Sequence, residues 1–278
     1  MNRQLIVNAD DYNTDANRNR GILDAARRGI VTSTSVLANV GWPEGALSEL
    51  KAVFDGRAGV HLNLTKGRPL CDGMGSLIGG DGSFFAKPIA WSKALNNGFD
   101  YRQVEREFAA QIQALLATGI KPDHIDGNNH MHIFPKIVHV TARLAVEFGI
   151  RRVRLPLEPL SWSLMHPRAR GFIKKCFLSL LSVRGRTIFR STGLSFPDRC
   201  AGLHVPDIRC EASLIRFLKR LPKGTTELVC HPGYRSRDNA FSTADREREL
   251  SILAAAGVAG AISNNNIRLI SFRDLQCE

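Results

Sequence analysis

Leu5-Ile6-Val7-Asn8-Ala9-Asp10-Asp11 is the stretch on which the fold of this 278-residue chain turns. A short apolar run that begins near residue 1 and stops on two adjacent acids reads as a buried strand delivering charge to the rim of a sheet. In α/β folds the carboxyl ends of parallel strands are where chemistry collects, and a carboxylate pair there can hold a metal ion and supply a base. The plainer reading is that one Asp caps the next helix and the other is solvated, since Asp is a preferred N-cap. These two residues alone leave both readings open.

Outward from this strand the chain alternates short β-type runs with helical stretches. Thr14 or Asp15 is placed to cap a helix that runs through residues 21–28 and stops at Gly29. Residues 31–37 read as a second strand and 47–54 as a short helix. Residues 59–64 alternate, with Val60, Leu62 and Leu64 on one face and His61 and Asn63 on the other. Residues 66–100 are Gly-rich with little periodicity and read as a long loop or lid. Residues 101–118 form the clearest helix, with Val104, Phe108, Ile112, Leu115 and Leu116 repeating on one face and Gly119 ending it. A strand at 122–126, a helix at 135–148 and a strand at 151–155 follow. Residues 156–206 resist reading and are expected to be a basic, variable excursion. An amphipathic helix at 211–221, a strand at 226–230 ending on His231, a helix at 245–256 and a strand at 268–272 complete the chain. About seven strands separated by helices predict one α/β domain over residues 1–278, its parallel sheet open or closed into a (β/α) barrel.

Composition narrows the setting. The content of 44% hydrophobic and 23% charged residues is that of a globular protein. With no apolar run of membrane-spanning length and no signal-peptide pattern at the start, the expectation is a cytoplasmic protein. Six cysteines without C-x-x-C spacing argue against a disulfide framework or a zinc knuckle. The formal net charge is +12. It is compatible with nucleic acid, an anionic membrane surface or an anionic substrate, and no nucleic-acid module accompanies it, so no nucleic-acid partner is expected. Basic residues concentrate between 151 and 199. There residues 172–181, flanked by Arg168, Arg170, Arg184, Arg186 and Arg190, read as a helix that either lies on a membrane surface or packs on the core with a basic rim. Trp42, Trp91 and Trp162 are either sugar-stacking platforms or packing residues.

Four clusters fall at strand ends: Asp10 with Asp11, His61, the stretch His124-Ile125-Asp126-Gly127-Asn128-Asn129-His130-Met131-His132, and His231. Taken singly, each of these histidines reads first as a hydrogen-bonded structural residue rather than a ligand. Together, His and carboxylate from separate strands meeting at one rim are how an open-sided metal site is built.

The same residues carry a resemblance. Leu5 to Tyr12, Gly29-Ile30-Val31-Thr32-Ser33-Thr34, Gly59-Val60-His61-Leu62, His124-Ile125-Asp126 through His130-Met131-His132-Ile133-Phe134-Pro135, and Cys230-His231-Pro232 look together like the YdjC-like carbohydrate deacetylases, the family of chitooligosaccharide and hopanoid-biosynthesis glycosamine deacetylases. The resemblance implies a distorted, TIM-like (β/α) barrel of about seven strands, distantly like the polysaccharide deacetylases. It implies hydrolysis of an N-acetyl group from an amino sugar, in an oligosaccharide or a lipid-linked glycan, with release of acetate. On it, Asp10 would be the general base, His231 the general acid, and Asp11, His61 and Asn128 the ligands of a divalent ion, Mg²⁺ before Zn²⁺ or Co²⁺. Beside these roles, Asn63 and His132 are candidates for substrate contact, and Arg154, at a strand end beside Pro156 in the basic segment, is a candidate anion contact.

Two positions depart from the family. Asn13 stands where it usually carries Gly, and Asn can also adopt a left-handed conformation. Asn128 stands where it carries a His ligand. An amide oxygen can ligate Mg²⁺ or Ca²⁺ but is a poor zinc ligand, and His130 could take the place by a shift of the loop. The alternatives to the deacetylase are another metal-dependent hydrolase on the same scaffold, or a homologue that binds glycan without turning it over. A homodimer and a location peripheral to the membrane also stay open.

Overall fold

Seven strands are found among the described residues: β1 (Arg3–Tyr12), β2 (Ser33–Val36), β3 (Ala58–Leu62), β4 (Ile125–Gly127), β5 (Arg199–Ala201), β6 (Gly224–Cys230) and β7 (Ile267–Ile270). The structure is a computed structural model and describes residues 2–159, 169–203, 210–236 and 241–276. All pairings between these strands are parallel, in the order β4-β3-β2-β1-β6-β5, with β7 beside the first half of β1. β1 is buried over its last eight residues, as a central strand covered on both faces must be.

The sheet curls into a half-barrel, and residues 151–157 cross its open side. Ile125 N–H donates to Arg152 O and Arg154 N–H to Ile125 O, both at 2.9 Å. Val153 N–H donates to Ser195 O at 3.0 Å, and Cys200 N–H to Leu157 O at 2.9 Å. This stave makes single bridges instead of the regular strand expected at 151–155. Pro156, which has no N–H to give, stands where a ladder would continue.

Helices α1 (Ala16–Arg28), α2 (Ala46–Phe54), α3 (Lys87–Leu95), α4 (Tyr101–Ala117), α5 (Ile137–Glu147), α6 (Ala169–Ser191), α7 (Glu211–Lys219), α8 (Ala244–Leu253) and α9 (Ala256–Asn264) accompany the sheet. The expected loop at 66–100 contains α3, and the unreadable stretch at 156–206 contains α6 and β5. The single helix expected at 245–256 is two, parted at Ala254 and Ala255. α4 buries Val104, Phe108, Ile112 and Leu115 as its periodicity requires. It also buries Glu107 and Gln111, which bind the loop above: Gln111 exchanges hydrogen bonds with the Asn63 backbone, and Glu107 accepts from Leu70 and Cys71 N–H.

Residues 5, 7 and 9 of β1 join the main core, while Ile6 belongs to a separate small cluster with Ile270, Phe272 and Leu275. Successive strand residues face opposite sides, so Ile6, Asn8 and Asp10 point into the curl. Its lower end is therefore apolar and its upper end polar.

Asp15 caps α1 by accepting from Arg18 N–H at 2.8 Å. Gly29 ends the helix, though not through a left-handed turn; a side chain there would strike the carbonyl oxygen of Leu253. Gly21 is tighter still, because a Cβ would overlap the backbone of Gly233, two residues beyond His231. Gly21→Ala is expected to lower stability by about 2–3 kcal/mol despite its better helix propensity, measured as a lower urea midpoint. A neutral or stabilised variant would show that α1 and the β6 exit loop can separate freely.

Candidate active site

Two adjacent strand residues normally face opposite ways, yet both Asp10 and Asp11 line one cavity. The backbone explains this. Asp11 has φ +71°, and the β1–β2 register slips between Ala9 and Tyr12, so a bulge turns the second carboxylate onto the face of the first. Asn13, at φ +76°, tolerates the left-handed conformation expected of it. The cavity, about 430 Å³, lies at the carboxyl ends of β1, β3, β4 and β6, and His61, Asn128, His130 and His231 also line it.

Beneath it sits a buried ionic cluster. Arg154, with 0% exposure, donates to both oxygens of Asp10 at 2.7 Å. It also lies 2.7 Å from Asp126 and 2.7 Å from Glu227. Asn8 donates to Asp10 Oδ1 at 2.8 Å, and Ser35 to Asp126 Oδ2 at 2.7 Å. Arg154 is therefore no substrate contact, because its guanidinium is consumed by carboxylates. Asn63 and His132 are likewise absent from the cavity wall. Asn63 is buried with its amide bonded to Asn39, Thr65 and Lys66, and His132 is buried with Nε2 on Arg154 O at 3.0 Å.

His61 Nδ1 is 2.7 Å from Asp126, which leaves Nε2 facing Asp11 Oδ1 at 3.8 Å. Burial works against charge on this ring, but Asp126, Asp10 and Asp11 outweigh it and raise its pKa to about 9. The Asp11 carboxyl is pushed up by burial and brought down further by His61, His231, Arg18 and Lys66, ending below its ordinary range. Asn128 Nδ2 lies 3.2 Å from Asp11 Oδ1 and 3.4 Å from His61 Nε2. Its oxygen points the other way and accepts from Thr65 and Asn129. Asp11, His61 and Asn128 thus lie together at one wall, with Asn128 turning its donor inward. His130 reaches the wall with φ +60° and an unbonded Nδ1.

Among the described residues, one trio of His and acidic side chains has ligand atoms within 4.8 Å of one another: Asp10, His61 and Asp126. A cation at the centre of that trio would contend with Arg154, which already bridges its two carboxylates. One step higher, Asp11 Oδ1 and His61 Nε2 face each other at 3.8 Å, with Asp126 holding the ring from behind.

His231 follows β6, its Nε2 4.0 Å from Asp10 Oδ2. Its backbone is clamped: N–H donates to Glu249 at 2.9 Å, and buried Arg18 donates to its carbonyl at 2.5 Å. Burial, aided by Arg246 and Arg18, drives the ring pKa down to about 3, so the imidazole rests neutral.

Asp126, Glu227, Arg18 and Glu249 hold this arrangement, and their supporting roles escape a reading of motifs. The available signal was a Glu and an Arg inside stretches that must be buried. Trp91 packs between Phe134 and Phe177, at 5.2 and 5.5 Å between ring centroids, and Trp162 lies outside the described residues.

The buried histidines give the protein an acid liability. His132 has its pKa lowered from 6.5 to about 4, chiefly by burial. The unfolded chain then binds the extra proton between those values, so stability is lost as pH falls from about 6.5 to about 4, by about 3 kcal/mol for this residue. His132→Gln, which keeps a donor near Arg154 O, is expected to flatten the melting temperature against pH over that window. An unchanged slope would exonerate His132.

Comparison with known proteins follows the same residues. The family model described as YdjC-like protein matches residues 4–264. A carbohydrate deacetylase of Homo sapiens is 32% identical over 98% of this chain and 91% of its own length. One from Geobacillus stearothermophilus is 29% identical over 99% of this chain and 98% of its own. A solved structure from Enterococcus faecalis V583, a candidate cellobiose-phosphate cleavage protein, superposes with a TM-score of 0.79 at 23% identity over 98% of both chains, a likeness of fold.

Proposed function

The chain belongs to the YdjC-like family, and from that premise we propose that it is a carbohydrate deacetylase that hydrolyses the N-acetyl group of an amino sugar and releases acetate. The observation that carries the reading is the bulge at Asp11, which sets two carboxylates of one strand into a cavity shared with His61 and His231.

The donors fit a divalent cation. Arg154 brings one positive charge to a floor holding Asp10, Asp126 and Glu227, and Asp11 adds a further negative charge above it. Asp11 and His61 would hold the ion, and one carboxylate with one imidazole, leaving the other positions to water, suit a hard, partly hydrated Mg²⁺ better than zinc. When bound, the ion polarises the acetamide carbonyl and eases ionisation of water. Asp10, oriented by Arg154, is the base that takes a proton from the attacking water. His231, neutral at rest, hands a proton to the leaving amine once it has received one, and Asp10 across 4.0 Å is the neighbour able to pass it.

The inward Asn128 amide favours a second reading, glycan binding without turnover, because a donor faces the place an ion would take. Calorimetry of the chelator-stripped protein with Mg²⁺, beside acetate release from a panel of N-acetylated oligosaccharides, separates the two. The deacetylase reading expects about one ion per chain, none in Asp11→Ala, tighter uptake in Asn128→Asp, and acetate from at least one glycan. Glycan binding with neither ion uptake nor acetate would establish the second reading.

A further inference from the structure

Nine large hydrophobic side chains are exposed among the described residues, and five of them lie on α3 and α6. On α6 these are Ile173, Leu180 and Val183, at 66%, 67% and 58% exposure; on α3 they are Ile89 and Leu95, at 50% and 43%. The two helices touch through Trp91 and Phe177, so their exposed residues belong to neighbouring elements.

Spacing places the α6 residues on one outward arc. Positions 173, 180 and 184 fall within one narrow stripe, and 183, 187 and 190 lie beside it. Leu180 and Val183 thus share a surface with exposed Arg184 and Arg190. Neither helix contains an acidic residue, while α3 carries Lys87 and Lys93 and α6 carries six Lys or Arg. Each helix also sends one lysine, Lys87 or Lys174, to the wall of the candidate active site. A second cavity, of about 650 Å³, runs along α6 beside Leu180, Val183 and Arg186.

We propose that α3 and α6 together form a docking surface for an anionic lipid bilayer. Exposed aliphatic residues interleaved with arginine, on helices free of acid, match the two attractions a bilayer offers: an apolar interior at shallow depth and negative headgroups above it. A second copy of this chain fits poorly, because a two-fold contact would set this basic surface against itself. Nucleic acid would use the charge but leave the isoleucines and leucines in water. Docking here holds the mouth of the catalytic cavity beside the membrane. The inference is independent of the deacetylase reading, since vesicle binding is read without turnover.

The test is co-sedimentation of the full chain with vesicles of phosphatidylcholine alone and of phosphatidylcholine mixed equally with phosphatidylglycerol. The protein is expected to pellet with the mixed vesicles, less as salt is raised, and to stay in solution with phosphatidylcholine. Ile173→Ser with Leu180→Ser is expected to weaken binding by about tenfold or more, while Val146→Ser, an exposed aliphatic residue elsewhere, leaves it unchanged. Matching thermal melts of the variants exclude unfolding as the cause. Absence of binding to mixed vesicles overturns the proposal. So does equal binding by the double variant, which would leave charge alone responsible, or a solution dimer that this variant splits.

Discussion

Arg154→Met is expected to destabilise the chain by about 5 kcal/mol or more, a large share of the roughly 5–15 kcal/mol that typically holds a domain together. The reason is what stays behind. Arg154 is the shared partner of Asp10, Asp126 and Glu227, and all three carboxylates remain buried when it is removed. Burial pushes the Asp126 carboxyl upward, but Arg154 and His61 hold it well below the usual carboxylate range. In the wild type this contribution is present above the ordinary carboxylate pKa and is lost as pH falls below it. In the variant Asp126 and Glu227, still buried but without Arg154, gain protons more readily than in the unfolded chain. The gap between variant and wild type should therefore narrow as pH is lowered. Urea denaturation at pH 7.5 and pH 5 measures both effects, and Glu227→Gln in the Arg154→Met background should recover part of the loss by removing one uncompensated charge. A loss below about 1 kcal/mol at neutral pH would mean that water or relaxation solvates the cluster, and that its apparent burial overstates its importance.

The second large effect concerns Asp10. Asp10→Asn is expected to lower kcat for acetate release by about a thousandfold with KM nearly unchanged, the loss typical of a removed general base. An Asn at this position keeps an acceptor for Arg154 but places an amide group where the second carboxylate oxygen stood, so a stability cost of about 1–2 kcal/mol accompanies it. Divalent-ion binding should persist, because Asp11 and His61 are untouched. That separates Asp10→Asn from Asp11→Ala, which is expected to lose ion and activity together. If Asp10→Asn kept a tenth or more of the wild-type kcat, the base would lie elsewhere, and His231, neutral at rest, would be the next residue to test.

Much of this protein could be read from its sequence. Short apolar or β-type runs identified β1 and β6, two-residue alternation identified β3, the 3.6-residue period identified α4, and strand–helix alternation predicted a parallel α/β sheet. The active-site candidates Asp10, Asp11, His61 and His231 stood out because polar residues that end buried strands are costly unless they are used. These are local signals: backbone period, capping chemistry and the burial that apolar runs demand. Tertiary structure alone decided the rest. Nothing in the residue order says that Arg154, 144 positions from Asp10, is its partner and not a substrate contact. Nor does it say that a left-handed Asp11 turns two adjacent carboxylates to the same side, or that Asn128 turns its amide hydrogens toward Asp11 and His61. The physical reason is the range of the interactions. Periodicity and capping act over a few residues along the chain, whereas ion pairing and hydrogen-bond direction depend on which groups the closed sheet brings within 3 Å of one another in a space that excludes water.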